Sequence, residues 1–149
     1  MMNHKNRCQN SVAIPPCDDA AFLQAAIDRG AANIRLYCML MQCCECCEVV
    51  CCLTRLLRAE RRQLCELKAA FFVLTGQTHR PRPTCPYICT CLDTLRQLCL
   101  EESEVSACFL DHAARTKCQR TANLYNRIGA EKACTAEELE ALIATLICC

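Results

Sequence analysis

Apolar residues recur along this chain at steps of three and four through four long stretches, while period-two alternation and Asn-Gly or Asp-Gly turns are absent. In the first stretch Leu23, Ile27, Ile34, Tyr37 and Met41 form the apolar stripe. Asp18 or Asp19 stands where a cap belongs, and the spacing predicts a helix running to about residue 42. A second helix is predicted over about 49–74, with Leu53, Leu56, Leu57, Leu64, Leu67 and Phe71 on its buried face and Gly76 just past its end. Residues 77–86 carry Pro81, Pro83 and Pro86, cannot be helix interior, and read as a crossover. A third helix is predicted over about 87–116 and a fourth over about 120–147. Thr135-Ala136-Glu137-Glu138 matches a capping box, so with Gly129 nearby the fourth helix could bend or restart there. Residues 1–16 read as a flexible polar tail closed by Pro15-Pro16, which leaves 17–149 for the folded domain.

The two halves resemble each other. Asp28 to Tyr37 lies over Leu100 to Phe109 at an offset of 72, and Ala59-Glu60 lies over Ala130-Glu131 at an offset of 71. These offsets predict a duplicated helical hairpin, and so an all-α four-helix bundle of two hairpins joined by a long crossover. The length suits one domain that buries ~70% of its unfolded surface. A net charge of +1 gives no electrostatic case for nucleic acid or an anionic membrane. No apolar run approaches the ~18 residues of a membrane span, and the first residues show no apolar signal core. The expectation is a soluble cytoplasmic domain, with metal ions and a second copy of the chain as candidate partners. No Ser-His-Asp order, phosphate loop or dinucleotide fingerprint is present, which argues against an enzyme of those classes.

Cysteine changes the picture most. The chain has 19, seven of them between Cys38 and Cys52. In a secreted chain this would mean a disulfide framework, but an odd count and no visible signal favour reduced thiols. Thiolates select soft ions, here Cu(I) or Zn(II). Ten to twelve extended residues reach ~33–40 Å, about the length of a 24-residue helix. That is barely enough for a crossover spanning the bundle; if it does so, as the family resemblance given below implies, the first turn, the start of the third helix and the end of the fourth share one pole. Cys43, Cys44, Cys46, Cys47, Cys51 and Cys52 would then gather near Cys85, Cys89 and Cys91, and near Cys148 and Cys149. Single cysteines within helices, such as Cys99 and Cys108, are expected to fill the core as small hydrophobes. His4, His79 and His112 are expected at the surface, and Arg55, Arg58, Arg61 and Arg62 read as a solvated face.

In four-helix carboxylate-bridged metal proteins, two helices each give one Glu and two give a Glu-x-x-His pair, whose members share a helix face. The stretches AAIDRGAANIRLY, RLLRAERRQLCELKAAFFVLTG, CLEESEVSACFL and NRIGAEKACTAEELEAL resemble the ferritin-like superfamily, nearest to its short rubrerythrin-type domains, over about 20–147. The resemblance implies a ferritin-like bundle with a di-iron centre. Glu60, Glu102 and Glu131 stand at matching positions, whereas Gly30 stands where a glutamate belongs, and Gln63 and Cys134 stand where histidines belong. With half the set missing, Glu60, Glu102, Glu131 and Cys134 read as a vestigial site able to hold one Zn(II). The expected function is thiolate-based sequestration of Cu(I) or Zn(II). The alternatives are an iron-dependent rubrerythrin-like oxidoreductase or peroxidase, and a structural bundle without a working metal site.

Overall fold

The computed structural model describes residues 18–82 and 90–148. The expected tail, Cys8, Cys17, Cys85, Cys89 and Cys149 lie outside the described residues. Among the described residues there are four helices: α1 (Asp19–Cys43), α2 (Cys47–Thr75), α3 (Cys91–Arg115) and α4 (Gln119–Cys148). Asp18 caps α1, its carboxylate accepting from the Ala21 amide at 3.1 Å. At the end of α2, Gly76 takes the left-handed conformation (φ 70°) and its amide donates to the Phe72 carbonyl, so a residue without a Cβ is favoured there. The start of α3 falls at Cys91 rather than near residue 87, because the Thr90 hydroxyl accepts from the Asp93 amide and fixes the cap.

Every pair of neighbouring helices is antiparallel. Asp19 meets Thr116, Asn33 meets Glu102, and Cys44 meets Cys91, which aligns α1 against α3. Arg55 meets Glu138, Arg62 meets Glu131, and Glu66 meets Arg127, which aligns α2 against α4. With both hairpins antiparallel, α2 and α3 run the same way, and the segment between them spans the bundle. The bundle of two hairpins and a long crossover is therefore the architecture. No helix among the described residues is long and apolar enough to cross a membrane.

The backbones approach closest within the α3–α4 hairpin. At Gly129 an added Cβ would lie 2.9 Å from Leu110 Cδ2, and the Ser106 hydroxyl donates to the Gly129 carbonyl at 2.7 Å. The fourth helix passes through Gly129 and Thr135 without a break. The Thr135 hydroxyl donates back to the Glu131 carbonyl instead of capping a new helix, so the expected restart does not occur.

Two apolar clusters fill the interior. Tyr37, Leu40, Leu53, Leu95, Leu98 and Leu139 centre the one toward the α1–α2 turn, and Leu23, Ile27, Phe71, Phe109, Tyr125 and Ile128 the other. Phe22 packs edge-on to both Phe109 and Tyr125 and stacks on His112 with ring centres 3.8 Å apart, so His112 belongs to the rim of this cluster. His79 lies 2.8 Å from Asp28 and packs edge-on to Phe71. Both histidines are half-buried, not the free surface groups expected of them. Cysteine fills the core only in part: Cys38 and Cys99 pack against the cluster toward the α1–α2 turn. Among the described residues Cys65, Cys108, Cys118 and Cys134 are exposed, and Cys38 and Cys99 only half-buried.

Candidate functional site

Between the two apolar clusters lies a polar layer, to which each helix gives a residue from one equivalent position. These are Gly30 on α1, Glu60 on α2, Glu102 on α3 and Lys132 on α4. Buried positions in the two halves correspond at a single offset of 72: Leu23 with Leu95, Tyr37 with Phe109, Leu53 with Tyr125, Leu67 with Leu139, and Glu60 with Lys132. The Ala-Glu identity at 71 had aligned Glu60 with Glu131, one residue off this register.

Lys132 is 4% exposed, and its ammonium lies between two carboxylates. It donates to Glu60 Oε2 at 2.6 Å, and it lies 3.1 Å from Glu102 Oε2 and 3.4 Å from Glu102 Oε1. Asn33 Nδ2 donates to Glu102 Oε1 at 3.0 Å. Burial alone would lower the lysine's pKa, but the charges of Glu60 and Glu102 outweigh it and the net shift is upward. Burial, then the neighbouring Glu60 charge, pushes the Glu102 carboxyl up to about 7 despite the pull of Lys132. One turn beyond Asn33, the Tyr37 hydroxyl is buried and has no hydrogen-bond partner among the described residues. Its pKa is raised by burial and by the charges of Glu102 and Glu60. A cavity of about 10 Å³, room for roughly one water, is lined by Gly30, Glu60, Gln63 and Lys132 among others.

Two other residues assigned to this site from sequence lie outside its centre. Glu131 turns to the flank, where Arg62, Arg127 and Gln63 bind it; Arg62 Nη2 is 3.0 Å and Gln63 Nε2 2.8 Å from Glu131 Oε2. Partial burial raises its pKa, but the hydrogen bonds from Arg62 and Gln63 prevail and hold it below the usual carboxylate range. Cys134 is exposed. Gln63 is buried and spends its amide nitrogen on Glu131. A di-iron centre does not fit this arrangement. Only Glu60 and Glu102 converge, and an ammonium already sits within hydrogen-bond distance of both.

The thiols form a second locality. The sulfurs of Cys44 and Cys91, from different hairpins, are 2.8 Å apart. Around them, in the turn and the first turns of α2, stand Cys43, Cys46, Cys47 and Cys51, all exposed, and the half-buried Cys52. Cys38, Cys44, Cys52, Cys91 and Cys99 rest against the apolar cluster toward the α1–α2 turn. Burial, followed by the contact with Cys91, pushes the Cys44 thiol up to about 12. No three His, Cys, Asp or Glu side chains among the described residues are grouped as a ready-made metal cage.

Cys118, just before α4, is the opposite case. Hydrogen bonds from the Thr121 hydroxyl and amide hold its exposed thiol below the ordinary range. Because the thiolate is the reactive form, limiting iodoacetamide at neutral pH is expected to label Cys118 well before Cys44. Peptide mass mapping of the alkylated chain checks this.

Comparison with protein-family models, curated proteins and solved structures gave no match.

Proposed function

We propose that this bundle sequesters soft metal ions, Cu(I) or Zn(II), at the thiol-rich pole. The observation that carries the reading is the convergence of Cys44 and Cys91 from separate hairpins, with four more exposed cysteines in the turn and the helix ends that flank it. Two thiolates sharing a tetrahedral zinc at bonds of ~2.3 Å stand ~3.8 Å apart, so only a small adjustment of the pair is required. A coordinated thiol loses its proton to the metal, which offsets the high pKa that keeps Cys44 protonated without one. The exposed neighbours, on short side chains around a three-residue turn, can swing in to complete the shell. The two-hairpin arrangement with its long crossover supports placing the chain with ferritin-like proteins of the rubrerythrin type. On this reading the pole, and not the carboxylate layer, is the working site, and no chemical step is required of the protein.

Anaerobic titration of the reduced chain with Cu(I), followed by thiolate-to-copper absorption, is expected to saturate at several equivalents. The double substitution Cys44→Ser, Cys91→Ser should lower that capacity with helicity unchanged. Saturation at one equivalent or none would overturn the reading and leave a structural bundle.

A further inference from the structure

The centre of the bundle invites a separate question, independent of what the thiols bind: why two carboxylates are kept inside an apolar interior. Isolated buried carboxylates are costly, and they persist when paired or when they hold a metal. Here Glu60 is 4% exposed and Glu102 fully buried, and both face one point. At that point stands the Lys132 ammonium, 2.6 Å from one carboxylate and 3.1 Å from the other. The surroundings are those of an oxygen-lined cation site. The Asn33 side chain binds Glu102, and the buried Tyr37 hydroxyl lacks a hydrogen-bond partner among the described residues. Gly30 leaves its share of the layer open, since a Cβ there would meet only ordinary contacts, at 3.5 Å to Leu64 and 3.8 Å to Glu60 Oε1.

We propose that Lys132 is the resident cation of the bundle: its ammonium fills the place between Glu60 and Glu102 that an oxygen-preferring divalent ion would otherwise take, and so closes the interior to hard metals. The lysine supplies one positive charge without exchange, because it is tethered to α4 and cannot dissociate. An incoming divalent ion would have to displace a charge-assisted hydrogen bond pair and would leave the ammonium buried beside it, repelled at close range. Removing the lysine leaves two converging carboxylates, the Asn33 amide and free volume. These are the donors that suit Mg(II), Ca(II) or Mn(II) rather than a thiol-loving ion.

The test uses the full chain and Mn(II), whose six-line electron paramagnetic resonance signal is lost on binding and for which thiols are poor ligands. The wild-type protein is expected to leave the signal of free Mn(II) intact. Lys132→Gln and Lys132→Glu are each expected to take up about one Mn(II), at least tenfold tighter than any wild-type binding. Adding Glu60→Gln and Glu102→Gln to either variant should abolish the uptake. Where a variant is poorly folded without metal, Mn(II) should restore its helicity, as any ligand of the native state does. Three results would each overturn the proposal. They are a wild-type Mn(II) site that disappears on Glu60→Gln, folded Lys132 variants that bind no Mn(II), and variants that Mn(II) in excess fails to fold.

Discussion

Replacing Lys132 with alanine is expected to lower the unfolding free energy by about 3–5 kcal/mol, the range seen when one partner of a buried ion pair is removed. The lysine is the only cation the polar layer contains among the described residues, and it serves two carboxylates at once. Without it, Glu60 and Glu102 face each other unneutralised in a medium where charges repel strongly, and at least one must take up a proton. Urea unfolding at pH 7.5, followed by circular dichroism, reads the change as a lowered midpoint with an unchanged slope. The charge, not the packing, should dominate. The triple variant Lys132→Met, Glu60→Leu, Glu102→Leu removes every ion, and it should recover most of the loss or exceed the wild type. A triple variant as unstable as Lys132→Ala would show that the interior volume, not its charge balance, sets the cost.

The second large effect is a pH dependence. The layer holds two carboxylates against one ammonium, and the groups facing Glu102 are Glu60 from α2, Lys132 from α4, Asn33 and Tyr37 from α1, with Glu101 next to it on α3. The Glu102 carboxyl titrates near 7 when folded against an ordinary value of 4.5. A carboxyl whose pKa is raised by folding binds its proton more tightly in the native state. Its favourable contribution is complete below pH 4.5 and is lost as pH rises through 7. The window corresponds to about 3 kcal/mol. Glu102→Gln, which keeps an acceptor for Asn33 and Lys132 but never ionises, should therefore match the wild type near pH 4.5 and be the more stable at pH 8. The difference between the two proteins, measured across the range, isolates this group from others such as Glu131, whose lowered pKa works in the opposite direction. A difference that does not grow with pH would contradict the assignment.

Much of the fold is legible in the chain itself. Stripes of Leu, Ile and Phe at three- and four-residue steps mark the first two helices, Asp18 or Asp19 and Gly76 stand at two of their ends, and the proline-rich segment reads as the crossover. The shared pole followed from that topology, and the 2.8 Å approach of Cys44 and Cys91 agrees with it. What was misread came from trusting residue type over position. Glu131 matches Glu60 in letters at an offset of 71 but not in phase, and the position in phase belongs to Lys132, a residue type ordinarily solvated on a helix. The signal was present: Tyr125, Ile128, Lys132, Thr135, Leu139 and Leu142 continue one unbroken stripe, and Lys132 sits in its middle. The scattered cysteines were misplaced for a related reason. Cys108 adjoins the buried Phe109, and a neighbour in sequence lies about 100° away around the helix, far enough to face out, whereas Cys99 beside Leu98 stays half-buried and donates to the Ala136 carbonyl.

The single offset of 72 between the halves has one more consequence. In a twofold dimer of one hairpin, symmetry-related positions must carry the same residue, so positions 60 and 132 could only oppose glutamate to glutamate or lysine to lysine. Such a dimer cannot place a glutamate at one of these positions opposite a lysine at its counterpart. Two hairpins in one chain are free of that restriction, and here the equivalent positions carry opposite charges. An ion pair between equivalent positions, as Glu60 and Lys132 form here, is thus open to a single chain of two hairpins and closed to a symmetric dimer of one.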